Sequence, residues 1–288
     1  MALSAVLGAA ALIAAPATAA SAAPISSATI TASTAGVAPQ AAKVHHRVVH
    51  GDIVVRKAGT VISGLDLHGR ILVRAANVTI KNTIIRGADS GSSNGLIMAV
   101  WGYPGLRVID TEIVASKSNF SVNGVMGYNF ELLRVSIHRV IDQVRITGSN
   151  VKVTNSHLYG NLHFARDPGQ HGGATHDDNV QIQGGSNITL SGNKMSGSHN
   201  AAIQITQGIS KVSKLTISNN RFDNGGCTIN VAQKPRGPIS GLVIKHNVFG
   251  NTMQFKNCAV ISPTTTKLAL TGNAFTSGAG IKVIARQQ

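Results

Sequence analysis

The stretch 188-ITLSGNKM-195 recurs along the chain, and its recurrence decides the fold. Set in register with it stand 78-VTIKNTII, 106-LRVIDTEI, 130-FELLRVSI, 151-VKVTNSHL, 215-LTISNNRF, 242-LVIKHNVF and 268-LALTGNAF, eight copies in all. In the last four, Asn193, Asn220, Asn247 and Asn273 are 27, 27 and 26 residues apart. Earlier copies begin 28, 24 and 21 residues apart, with one jump of 37 between the fourth and fifth. A second alternating segment precedes most copies, as in 144-VRIT, 180-VQIQ, 203-IQIT and 229-INVA. Each unit therefore holds two or three short strands of period two with turn residues between them, and no segment of helical period competes. Short strands at a near-constant period make an all-β solenoid of about eight coils.

The physics of stacking supports that reading. Inward Val, Ile and Leu of each coil rest on the same residue types in the next, and each strand bonds to its neighbours about 4.8 Å away along the axis. A column of Asn at one turn then forms a side-chain ladder. Units of 21 to 28 residues with Asn at the sharp turn resemble the right-handed parallel β-helix of pectate lyases, polygalacturonases and exported actinobacterial β-helix proteins. The stretches 77-NVTIKNTIIRG, 149-SNVKVTNSHLYG and 180-VQIQGGSNITLSGN are most similar to the last group. The resemblance covers about residues 50 to 284. It implies a single right-handed parallel β-helix, and it is specific for fold rather than for reaction. Cys227 and Cys258 each stand two residues before the first inward residue of a strand, Ile229 and Val260, so they share one position on adjacent coils. A disulfide and a pair of stacked buried thiols are both compatible with that spacing.

The first 42 residues carry no Asp, Glu, Lys or Arg. Ala2 to Ala15 is almost wholly apolar and small-residue A-x-A patterns follow, so residues 1–23 are expected to be a secretory signal peptide. Residues 24–45 are Ala/Ser/Thr/Pro-rich and are expected to be a flexible linker or pro-segment, with the β-helix domain at 46–288. The apolar run is too short to span a bilayer comfortably and no later segment is longer. The chain is therefore expected to be secreted and monomeric, with no membrane span. The 26 Lys+Arg against 11 Asp+Glu give a formal charge of +15, a field that gathers anions. An acidic polysaccharide is the expected partner, without specific nucleic-acid recognition.

The jump of 37 residues is the turn 159-YGNLHFARDPGQHGGATHDD. A long polar insertion in a tight repeat is a common place for function. Counting back two from the first inward residue places Asp178 before Val180 and Asp142 before Val144, so the two carboxylates are expected to be coil neighbours. The outward positions beside them read Arg145 and Thr147, then Gln181 and Gln183, then Gln204 and Thr206, a polar stripe along the axis. Amides and a guanidinium in a row suit the hydroxyls and carboxylates of an extended sugar chain. Arg166 and His171, from the long turn, join Gln181, Gln183 and Gln204 as expected substrate contacts.

Three chemistries compete for these residues. For β-elimination of a uronate chain, Arg145 neutralises the sugar carboxylate and His176 or His199 acts as base. Families of this type sometimes recruit Ca²⁺ through carboxylates, and Asp142 with Asp178 would make a thin site for it. For hydrolysis, stacked carboxylates divide into acid and base. The order Asp142, Asp177-Asp178, His199 is similar to the polygalacturonase arrangement, although His199 lies two residues early and no Arg-Ile-Lys follows. That departure ranks a hydrolase below a lyase. The third reading is a non-catalytic binder of polyanions or cell wall, with 45-HHRVVH and 233-QKPRG as contacts. Three histidines of the long turn, His163, His171 and His176, also raise a metal site, yet their spacing matches no standard zinc motif.

Overall fold

Strand-forming residues in this chain come in threes, and the corners between them set the architecture. A computed structural model describes residues 46–89, 91–233 and 236–286; the expected signal peptide and linker lie outside the described residues, as do Lys234 and Pro235. The strands assemble into three parallel sheets. The first has ten strands, from Ile53–Val55 to Val283–Ala285, and the second has nine, from Val61–Ser63 to Leu268–Thr271. The third has ten, from Arg47–His50 to Ala274–Phe275. The chain visits the sheets in rotation, so each strand pairs only with those one coil before and after it. The eight sequence repeats each supply one strand of the second sheet, and Val61–Ser63 adds one coil ahead of them.

Register follows the hydrophobic columns. In the first sheet Ile53, Ile71, Ile97, Val125, Val144, Val180, Ile203, Ile229, Val260 and Val283 stack as direct partners. All ten are β-branched, which suits extended backbone. In the third sheet Met195, Phe222, Phe249 and Phe275 stack in the same way and fill the C-terminal coils. Each fully buried side chain of this size contributes about 1.5–3 kcal/mol relative to exposure. Slipping any strand by one residue would turn its apolar set to water.

The turn from second to third sheet takes one residue, Gly64, in the first coil and two in the others. The first adopts left-handed backbone, as at Gly192, Asn219, His246 and Gly272, where Gly and Asn are favoured. In the last four coils the second is the ladder asparagine. Asn193, Asn220 and Asn247 each donate Nδ2 to the Oδ1 of the next at 2.9–3.0 Å, and that same Oδ1 accepts the donor residue's own backbone N–H. The corner from third to first sheet varies in length and carries the polar residues of interest. Cys227 and Cys258 are joined there by a disulfide, with Cα atoms 4.8 Å apart.

Candidate functional site

The third-to-first corner holds a column in one register: Asn123, Asp142, Asp178, Ala201, Cys227 and Cys258, each two residues before an inward strand residue. Along it, the Asp142 N–H donates to Asn123 Oδ1 at 3.1 Å and the Asp178 N–H donates to Asp142 Oδ1 at 3.0 Å. The expected neighbours Asp142 and Asp178 are thus brought together, and both are buried, at 3% and 0% exposure. Asn200 Nδ2 donates to Asp178 Oδ1 at 2.8 Å, while Asp178 Oδ2 is buried without a hydrogen-bond partner.

Burial pushes the Asp142 carboxyl up to about 7, against the pull of the Arg145 guanidinium and the Asp178 amide. Burial, and then the charge of Asp142, hold Asp178 well above the usual carboxylate range. A neutral Asp178 carries its proton most readily on Oδ2, the oxygen with no competing donor. Calcium takes six to eight oxygen ligands, largely ionised carboxylate and carbonyl. Two buried carboxyls with raised proton affinity, one oxygen of each already accepting from a protein N–H, do not fit that requirement.

The long turn folds back over this corner by its own hydrogen bonds. Asp167 caps a short 3-10 turn, Pro168–Gln170, by accepting from the Gly169 N–H, and its own N–H donates to Gly173 O. The Thr175 hydroxyl accepts from the Phe164 N–H, and the Phe164 ring meets Phe120 with centroids 4.5 Å apart. Beneath the turn lies a pocket of about 220 Å³ whose walls include Asn123, Asp142, Arg145, His176 and Gln181. Arg145 pairs with Gln181 across the strands, and with its amide oxygen turned inward Gln183 accepts from Arg145 Nη2 at 2.8 Å.

Asp177, next in sequence to Asp178, faces another way. Its Oδ1 bonds His163 Nδ1 at 2.7 Å, while its Oδ2 accepts from the His199 N–H at 2.8 Å and lies 3.3 Å from His199 Nδ1. The His163 and His199 rings stack at 3.9 Å. His199 opens onto a separate pocket of about 330 Å³ with Ser198, Asn224, Thr252 and Gln254.

The expected site therefore divides. Asp142, Arg145, His176 and Gln181 share one pocket, with Gln183 bracing the arginine and Asp178 buried behind. His199 and Asp177 belong to the second cluster. Gln204 extends the stripe by pairing with Gln181, but at 8% exposure it is not an open contact. Arg166 and His171 are exposed on the long turn and line neither pocket; His171 ends the 3-10 turn in left-handed backbone. The three turn histidines do not converge: His163 joins Asp177 and His199 instead. Sequence reasoning missed Asn123 and Asn200, the partners of the two carboxyls. Asn123 stands two residues before Val125, and the count that found Asp142 also reaches it.

Among solved structures the chain is similar to the Dettilon tailspike protein (gp208), at 14% identity and a TM-score of 0.33 over 83% of this chain and 62% of that one. It is also similar to a trypsin-treated variant of QnrB1, a plasmid-mediated fluoroquinolone resistance protein, at 10% identity and a TM-score of 0.25 over 80% of this chain and 91% of that one. No curated protein matches. The family model described as right handed beta helix region matches residues 71–285, and with its three parallel sheets wound in rotation the chain belongs to that family.

Proposed function

We propose that the chain is an exported polysaccharide-degrading enzyme, a lyase that cleaves a uronate-containing polymer by β-elimination. One observation supports this reading above the others: a carboxyl held near neutrality, a guanidinium and an exposed imidazole line a single pocket. Elimination needs a cation for the C5 carboxylate, a base for the C5 proton and an acid for the departing O4. Arg145, braced by Gln183, pairs the sugar carboxylate. Asp142 takes the proton from C5, the C5–H electron pair becomes the C4=C5 double bond, and the C4–O4 bond breaks. His176, which lines the same pocket, gives O4 its proton. The net charge of +15 favours an anionic chain as ligand.

Hydrolysis by Asp142, Asp177 and Asp178 requires two carboxyls flanking one glycosidic bond. Asp177 and Asp178 are both fully buried and absent from the pocket wall, which ranks that reading second.

The test is incubation of the purified chain with polygalacturonate, alginate and glucuronan while the ultraviolet absorbance of unsaturated uronide ends is followed. Absorbance should rise on one of them, and kcat/KM should climb as pH passes through about 7 because Asp142 must be ionised to act as base. Asp142→Asn should lower it by about 10²- to 10⁴-fold. New reducing ends without absorbance would move the reading to hydrolysis, and retention on the polymer without either product would leave a binder.

A further inference from the structure

We propose that His50, His68 and Asp89 form a binding site for a divalent transition-metal ion, with zinc as its first candidate, near the N-terminal end of the solenoid. The three come from successive coils. His50 and His68 are direct partners on the adjacent strands Arg47–His50 and Leu65–His68 of the third sheet, and Asp89 lies in the turn after the next coil. His68 Nδ1 is 2.7 Å from Asp89 Oδ1 and His50 Nδ1 is 3.7 Å from Asp89 Oδ2. All three donor atoms lie within 4.8 Å of one another. A tetrahedral zinc with bonds of about 2.0–2.2 Å sets neighbouring donors about 3.3 Å apart, so the 2.7 Å approach of His68 to Asp89 must open slightly and the wider approach of His50 must close. His50, whose side chain is 68% exposed, is free to turn for it.

A second observation points the same way. A metal-bound histidine usually presents its other ring nitrogen to a carboxylate, which fixes the tautomer. The far nitrogen of His68, Nε2, lies 3.8 Å from Asp66 Oδ1. Asp66 is itself clamped by Arg86 through Nε at 2.6 Å and Nη2 at 3.1 Å. Asp66 therefore stands on the far side of the His68 ring at ion-pair distance, short of a direct hydrogen bond, where a small shift of the ring would complete the order carboxylate, imidazole, ligand position. Two imidazoles and one carboxylate select zinc, copper or nickel over calcium and magnesium, and exposure at the surface leaves an entry path. The cluster of His163, Asp177 and His199 lacks these features. Its carboxylate is fully buried, one of its oxygens already accepts from the main chain, and its rings are stacked face to face.

Equilibrium dialysis of the full chain against Zn²⁺, with bound metal measured by atomic absorption, tests the site. One ion per chain is expected, with no competition from Ca²⁺. His50→Ala, His68→Ala and Asp89→Ala should each weaken binding by more than about a hundredfold, and Asp66→Asn by about ten- to a hundredfold. His163→Ala, and a variant with His45 and His46 both replaced by Ala, should bind as the parent does. Circular dichroism melts accompany each variant; if His68→Ala fails to fold, His50→Ala at the exposed position decides. Absence of saturable binding, binding unchanged in the His50 and Asp89 variants, or loss in the His163 or His45/His46 variants would overturn the assignment.

Discussion

Two columns of polar side chains run along the inside of this solenoid, and they are built alike but finished differently. At the second-to-third corner, Asn220, Asn247 and Asn273 each offer an Oδ1 to the backbone N–H of a neighbouring coil. At the third-to-first corner, Asn123 and Asp142 offer an Oδ1 in the same way. The amide then completes itself, because Nδ2 donates to the next Oδ1 and to a strand carbonyl such as Leu190 O. A carboxylate has no such donor. Its second oxygen is left over, and at Asp178 that oxygen is buried and unpartnered. A buried polar column that is satisfied holds the coils in register, whereas one left incomplete costs stability.

The sharpest way to break the comparison is at the middle of the amide ladder. Asn220 accepts from Asn193 through both N–H and Nδ2, and donates to Asn247 Oδ1 and Leu190 O. Asn220→Ala removes all four bonds and strands the buried Asn193 N–H. The expected loss is about 3–5 kcal/mol in urea denaturation, with the pH dependence of stability unchanged. A loss under about 1 kcal/mol would mean that the ladder is ornament to the apolar columns.

The carboxyl column should behave oppositely. Asp142 and Asp178 have folded-state values raised above the unfolded carboxylate, so the folded chain holds protons that the unfolded chain has lost. Their contribution is fully present below about pH 4 and is lost as pH rises through the raised folded-state values, about 7 for Asp142. Asp178→Asn cannot ionise and keeps the bond from Asn200. Relative to the parent it should gain stability as pH rises above about 4, with a slope of at most about 1.4 kcal/mol per pH unit. Equal stability of the two chains at pH 4 and pH 6 would refute the buried neutral carboxyl.

Much of this was legible in residues and spacing. The Val and Ile columns, the ladder asparagines, the disulfide position and the Asp142–Asp178 neighbourhood all follow from counting in twos along strands, since parallel register repeats from coil to coil. What failed to read was anything that leaves the strand period. Asp177 and Asp178 look like one acidic pair, yet alternation of extended backbone sends them to different surroundings. His176 and His199 flank the same corner, but the long turn roofs one and leaves the other on a second pocket. His163 reaches Asp177 across 14 residues of irregular turn, and Asp89 reaches His68 across 21; no local pattern announces either. Arg166 and His171 belong to the same long turn, yet both are exposed and neither lines the pocket beneath it.

A third set of asparagines separates the value of the amide from the value of its burial. At the first-to-second corner Asn150 Nδ2 donates to Asn129 Oδ1 at 3.0 Å and Asn187 Nδ2 donates to Asn150 Oδ1 at 2.9 Å. These bonds lie in water, where each replaces an equally good bond to solvent. All three residues have φ between 58° and 59°, so their commonest service is to left-handed backbone rather than to the ladder. Asn150→Gly keeps that backbone and deletes only the side-chain bonds. It should change stability by less than about 0.5 kcal/mol, against several for Asn220→Ala. Asn150→Ala, which also strains the left-handed turn, should lose about 1 kcal/mol. If the glycine variant instead lost as much as the buried one, the ladder would derive its strength from repetition along the axis, and the contrast between the satisfied and unsatisfied interior columns would need another cause.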